Sequence, residues 1–258
     1  MDYDLTECQR RNIDTIVRNG GLEFPHLFHI YTSGTIGPYF IQSIVVENTG
    51  SDYKFAIYSM KQLIKDTINY EYKIISGGDS RDWDFSNPVA AILEKAHAKL
   101  YKNGKMLGAD MKNEMVIHVA DLNNQGSSVK DAWVPMIRKV GGKINDVFFF
   151  VDRMEDEGKK AMKDAGVTPH SVVKLNDSAW NYLLENRDIT TNIYDSLMER
   201  EKNKIRWDED MLTSPEGIEK MAEFLNCSDL DTKAKAQNVL DVGYPHLKDE
   251  ILLGILNH

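Results

Sequence analysis

Between residues 70 and 187, short apolar blocks alternate with amphipathic stretches. Residues 72–76, 98–101, 115–120 (MVIHVA), 146–151 (DVFFFV) and 171–175 read as strands. The unbroken apolar run of DVFFFV predicts a strand covered on both faces. Between the strands, the 3.6-residue period predicts helices over 88–94, 127–140, 155–165 and 177–184. Gly141-Gly142 and Gly166 close two of them, and Pro88 suits a first turn. Pro135 falls inside 127–140, where an interior proline costs about 3 kcal/mol, so either the helix bends there or its boundaries differ. Strand and helix alternating at this spacing predict parallel β-α-β units. The fold class is therefore α/β, an open parallel sheet flanked by helices.

The flanks differ. Residues 5–18 form an amphipathic helix pattern stopped by Asn19-Gly20-Gly21. Residues 29–31 and 39–46 look extended around the turn-rich 33–38, and 55–69 look helical. After Arg187 the pattern holds helices without strands, over 213–225, 231–241 and 248–256. The expected division is an α/β domain over 1–187 and a helical C-terminal extension over 188–258.

Composition narrows the function class. Hydrophobic residues make up 42% and charged residues 28%, a globular balance that excludes disorder as the main state. The formal charge of −9 argues against a protein that coats nucleic acid or an anionic membrane. Acid is concentrated in the tail, with 15 acidic and 8 basic residues from Asp188 onward. Cys8 and Cys227 make neither a C-x-x-C pair nor a zinc spacing. The opening MDYDLTECQRRN lacks the apolar core of a signal peptide, and no run of about 18 apolar residues occurs. A cytoplasmic protein without nucleic-acid or membrane partners is expected.

Ligands of open parallel sheets bind beyond the carboxyl ends of the strands. Two polar loops stand at such ends, Ser76-Gly77-Gly78-Asp79-Ser80-Arg81 and Asp121 through Ser128. In the second, backbone N–H groups at a helix start, joined by the hydroxyls of Ser127 and Ser128, predict an anion cradle. Asp121 suits a ribose hydroxyl or, through water, Mg2+. The pattern fits a sugar 5-phosphate; it is neither a Walker motif nor a dinucleotide fingerprint. His118, inside an apolar strand, reads as a core residue, and Trp133 and Trp180 as helix packing.

These residues also carry a family resemblance. VIHVADLNNQGSSV, residues 116–129, resembles the 5-phosphoribosyl-1-pyrophosphate (PRPP) motif of type I phosphoribosyltransferases. That motif is a strand, two acids, then a loop ending in Thr-Gly and small hydroxyl residues. RKVGGKINDVFFFVDRMEDEGKKAMKDAGVTPHSVVKL, residues 138–175, is similar to the segment that follows this loop in orotate phosphoribosyltransferases. YTSGTIGPYF, residues 31–40, looks like that family's Ser-Gly-x-x-Ser-Pro-Tyr segment, and Asp79-Ser80-Arg81 with Phe85 and Pro88 resembles a pyrophosphate loop. The resemblance covers about residues 24–184.

It implies a five-stranded parallel sheet, with a small N-terminal hood over about 1–60 that closes on the base. It also implies transfer of phosphoribose from PRPP to a nitrogenous base with Mg2+, in pyrimidine nucleotide synthesis or salvage, by a homodimer. Asn123, Asn124, Gln125, Gly126, Ser127 and Ser128 would then hold the 5-phosphate, and Asp121 the ribose and Mg2+. Asp79, Ser80, Arg81 and Lys102 would meet pyrophosphate, and Tyr39, Phe40 and Lys130 the base. The chain departs from the motif at Ala120, where the family has its first acid, and in residues 101–110, which keep Lys102 and Lys105 but lack a histidine. These departures leave open an alternative, a fold retained to bind PRPP or a nucleotide as sensor or scaffold.

Overall fold

The computed structural model describes residues 5–257, so the first four residues of the signal-peptide reading lie outside it. The chain divides into two compact units, Met1–Gly21 with Gln42–Tyr182, and Leu22–Ile41 with Leu183–His258.

The first unit is built on a six-stranded sheet. Its strands are β1 (Ile74–Gly78), β2 (Ala96–Leu100), β3 (Met106–Gly108), β4 (Met115–Asn123), β5 (Lys143–Asp152) and β6 (Thr168–Lys174). The spatial order is β6-β5-β4-β1-β2-β3. Five strands run parallel and β3 turns back antiparallel on β2, pairing Leu107 with Lys99. The α/β class is thus confirmed. The added edge strand takes up residues 106–108 of the 101–110 stretch.

Phe148, Phe149 and Phe150 of β5 are all buried, as the apolar run predicts. Successive side chains point to opposite faces. Phe150 stacks on Phe85 at 4.9 Å, while Phe149 joins the core cluster of Trp133, Val134 and Ile137.

The expectation for Pro88 is corrected, and the local structure at Pro135 is defined. Pro88 lies inside a helix that begins earlier, Asp82–Ile92. Proline has no N–H to offer the carbonyl one turn back; here that Asp84 oxygen accepts from the Tyr53 hydroxyl instead. Pro135 sits in the first turn of Val134–Lys139, directly after a π-helical turn, Val129–Trp133. The wider turn lets the Val134 N–H reach Val129, so the helix continues past a residue that cannot donate. The expectation of an extended 39–46 is also corrected: only Phe40–Ile41 is strand, and Ser43–Asn48 is a 3-10 helix.

The second unit joins an early segment to the tail. Leu22–Glu23 pairs antiparallel with Phe40–Ile41, and His29–Ile30 with Ile36–Gly37. These ribbons are too short to form a core alone. Phe28, Ile30 and Ile36 are buried with Trp207, Leu212, Met221, Leu240, Tyr244 and Ile251. Inside this unit the Tyr244 hydroxyl donates to Asp208 at 2.6 Å, and Asp208 lies 3.5 Å from the Arg200 guanidinium. Helices Thr191–Lys202 and Lys204–Thr213 were not visible in the sequence pattern; Thr190 and Asn203 cap them.

A Cβ at Gly78 would stand 2.2 Å from the ring of Trp133, which is 2% exposed and has nowhere to move. Gly78→Ala is expected to destabilise the first unit by about 1–3 kcal/mol through overpacking. Urea denaturation followed by tryptophan fluorescence measures it; an unchanged midpoint would show that the ring relocates freely.

Candidate active site

The sheet topology selects the site. From β1 the chain moves to β2 on one side, and later returns to place β4 on the other side of β1. Strand order reverses between β1 and β4, and the crevice outside such a switch point is the ligand position of open α/β sheets. A cavity of about 340 Å³ lies there, walled by the turn after β1, the end of β4 and the helix that follows it.

The wall includes Asp79, Ser80, Arg81, Lys102, Asp121 and Ser128, all marked from the sequence. Ser80, Arg81, Lys102 and Ser128 are exposed, as groups that meet a charged ligand from water must be. The Asp79 carboxylate accepts the Lys102 backbone N–H at 3.2 Å, which ties the turn after β1 to the turn after β2. Ala120 also lines the cavity, where a second motif acid would stand.

Asp82 is the wall residue that sequence reasoning missed. Its Oδ2 accepts the Gly78 N–H at 3.0 Å and its Oδ1 accepts the Asp121 N–H at 3.1 Å. An acid in the first turn of a helix is common enough to pass unnoticed. Below it lies His118, completely buried. Its Nδ1 is 3.0 Å from the Ser76 hydroxyl and its Nε2 is 3.7 Å from Asp82. Ser43 was also missed, because its turn was read as strand; its hydroxyl donates to Asp121 at 2.9 Å.

Asp121 is 9% exposed. Burial, and then the negative charge of Asp82, push its carboxyl up to about 7, while Ser43 and Arg81 pull the other way.

The remaining marked residues lie elsewhere. Asn123 donates to Asp152 at 3.2 Å, and Asn124 accepts from Arg153 at 3.0 Å. Both amide side chains therefore anchor the loop to the end of β5. Gly126 has φ +71°, a left-handed turn, and a Cβ there would meet Ala161 and Met162 at 2.7 Å. Gln125 and Ser127 belong to the same loop and helix start, and Lys130 reaches toward Asp164 at 3.7 Å. Tyr39 and Phe40 belong to the second unit, where Tyr39 is buried and Phe40 stands 4.8 Å from the His29 ring.

No family model matches the chain. It is 29% identical over 154 residues to an orotate phosphoribosyltransferase of Sulfolobus acidocaldarius, covering 57% of this chain and 75% of that one. It is 25% identical over 171 residues to an adenine phosphoribosyltransferase of Caldicellulosiruptor saccharolyticus, covering 58% and 94%. The crystal structure of Francisella tularensis orotate phosphoribosyltransferase superposes with a TM-score of 0.62 at 22% identity, covering 74% of this chain and 96% of that one. The chain is thus similar in sequence to orotate and adenine phosphoribosyltransferases and shares the fold of the type I enzymes.

The acids of this cavity come from two different elements. One comes from the end of β4, and its neighbour Asp82 from a helix start, while Ala120 supplies none. A carboxyl raised in the native state holds a proton that the unfolded chain has already lost. Its contribution to stability therefore falls as pH rises from about 4 to about 7. Asp121→Asn removes that penalty. It is expected to melt a few degrees above wild type near pH 8 and to converge with it near pH 4. A constant difference across this range in thermal melts would show that Asp121 is not the titrating group.

Proposed function

We propose that the protein transfers the phosphoribosyl group of PRPP to a ring nitrogen of a base and releases pyrophosphate, with orotate as the first base to test. The observation that carries this reading is the polarity of the cavity at the switch point. Arg81 and Lys102 bring positive charge to a wall that also holds the carboxylates of Asp82 and Asp121. PRPP needs that combination, cations for pyrophosphate and acceptors for ribose hydroxyls. General phosphoribosyl transfer has support from the relatives' shared chemistry; adenine, acted on by some of them, is the second base to test.

In this reaction the C1–oxygen bond to pyrophosphate breaks and a C1–nitrogen bond to the base forms, through an oxocarbenium-like sugar. The protein's work is placement and charge stabilisation. Arg81 and Lys102 offset the charge that develops on pyrophosphate, with Ser80 and Asp79 holding the turn around it. Asp121 accepts ribose hydroxyls and faces the growing positive charge of the ring. The backbone of Asn124, Gln125 and Gly126, with Ser127 and Ser128, receives the 5-phosphate at a helix start. Tyr39, Phe40 and Lys130 are assigned to the base by family resemblance, as is a homodimeric state.

Among the described residues no group of three or more His, Cys, Asp or Glu side chains is arranged to hold a metal. The two neighbouring carboxylates fit Mg2+ that keeps most of its waters and is carried by pyrophosphate oxygens. When bound, Mg2+ would neutralise pyrophosphate. Ala120 favours a second reading, PRPP binding without transfer.

Calorimetric titration of PRPP with Mg2+, followed by product assays with orotate, adenine and other bases, separates the readings. Binding with turnover is expected. Binding without turnover on any base selects the second reading, and no binding at millimolar PRPP overturns both. Arg81→Ala is expected to weaken PRPP binding about 10–100-fold, the scale of one charge-assisted hydrogen bond of about 1.5–3 kcal/mol. An unchanged Kd would remove Arg81 from the pyrophosphate subsite.

A further inference from the structure

We propose that Asp82 supplies the second carboxylate of the PRPP site, taking from a helix start the place of the acid that the strand lacks at Ala120. The inference rests on the phosphoribosyltransferase reading and names a residue that the motif does not contain.

The geometry separates this role from ordinary helix capping. A capping carboxylate accepts N–H groups of its own first turn. Asp82 instead accepts the N–H of Gly78, at the end of β1, and of Asp121, at the end of β4. Its side chain thus bridges the two strands that flank the switch point. Asp82 and Ala120 line the same cavity, so a carboxylate at either position faces the same space. Asp82 is 9% exposed, and burying it beside Asp121 places two carboxyl groups in a poorly solvated wall. The two backbone bonds offset part of that burial, and a ligand that uses both carboxyl groups offsets more. The two backbone bonds leave acceptor capacity on the carboxylate oxygens, enough for a ribose hydroxyl. His118 supports the arrangement from below: its buried Nε2 has no hydrogen-bond partner and lies 3.7 Å from Asp82 Oδ2. The site keeps two carboxylates although the strand carries one.

The test titrates PRPP with Mg2+ into wild type, Asp82→Asn, Ala120→Asp and the double variant, with thermal melts of each without ligand. Asp82→Asn is expected to weaken PRPP about 10–100-fold. Adding Ala120→Asp to it is expected to recover at least about tenfold of that loss, because the acid returns to the same cavity. A residue that only braces the strand ends would not be rescued this way, since an acid at 120 does not replace the bond to Gly78. Ala120→Asp alone is expected to lower Tm, by adding a third carboxylate, and to leave the affinity within about threefold.

Unchanged affinity in Asp82→Asn, or its loss without rescue, overturns the proposal while leaving the transferase reading intact. If Asp82→Asn does not fold, Ala120→Asp decides alone. A tenfold gain in affinity would mean that the wild-type site lacks an acid and would overturn the proposal; a lower Tm without a gain supports it. Wild type that fails to bind PRPP overturns both readings together.

Discussion

One carboxylate holds the open end of the sheet together. Asp82 accepts the last N–H of β1 and an N–H near the end of β4, so the two strands diverge around it at a fixed spacing. Each of those N–H groups is buried and would cost about 1–3 kcal/mol if left without an acceptor. The crevice at the switch point is thus built from a charge rather than from apolar packing. Its wall meets Asp121 on one side and the buried His118 on the other. Ser43, from a turn far away in sequence, closes the same cluster by donating to Asp121.

Apolar packing sets the rest of the cavity. Gly78 has no side chain, and the Trp133 ring occupies the volume that a Cβ would need. That contact brings the helix after β4 close to the end of β1, and so places Ser128 in the cavity wall. The π-helical turn at Val129–Trp133 belongs to the same solution, because it accommodates Pro135 without breaking the helix. Behind the site, Asn123 and Asn124 fasten the loop to Asp152 and Arg153 at the end of β5. Residues that look like ligands in the sequence here act as supports.

The second unit follows another logic. Its ribbons, Leu22–Glu23 with Phe40–Ile41 and His29–Ile30 with Ile36–Gly37, acquire a core only through the C-terminal helices. The tail is therefore the missing half of a small hydrophobic core begun early in the chain. A buried group, Arg200 with Asp208 and Tyr244, ties that core together; burial pushes the Asp208 carboxyl up to about 6 against the pull of Tyr244 and Arg200.

The sequence by itself determined the parallel sheet, because apolar blocks such as MVIHVA and DVFFFV have lengths and spacings that only β-α-β units satisfy. It also determined where ligand loops must lie, and it marked Arg81, Lys102, Asp121 and Ser128, which are local to strand ends. Tertiary structure decided which acid joins Asp121. Asp82 and Asp121 are separated by two strands in sequence, and only the order β4-β1-β2 makes them neighbours. It decided that Pro88 could sit inside a helix, because the Tyr53 hydroxyl satisfies the carbonyl that proline leaves unpaired. It decided the partner of residues 22–41 as well. Periodicity reports the face a residue presents within its own element; the face it meets is fixed when the chain folds back on itself.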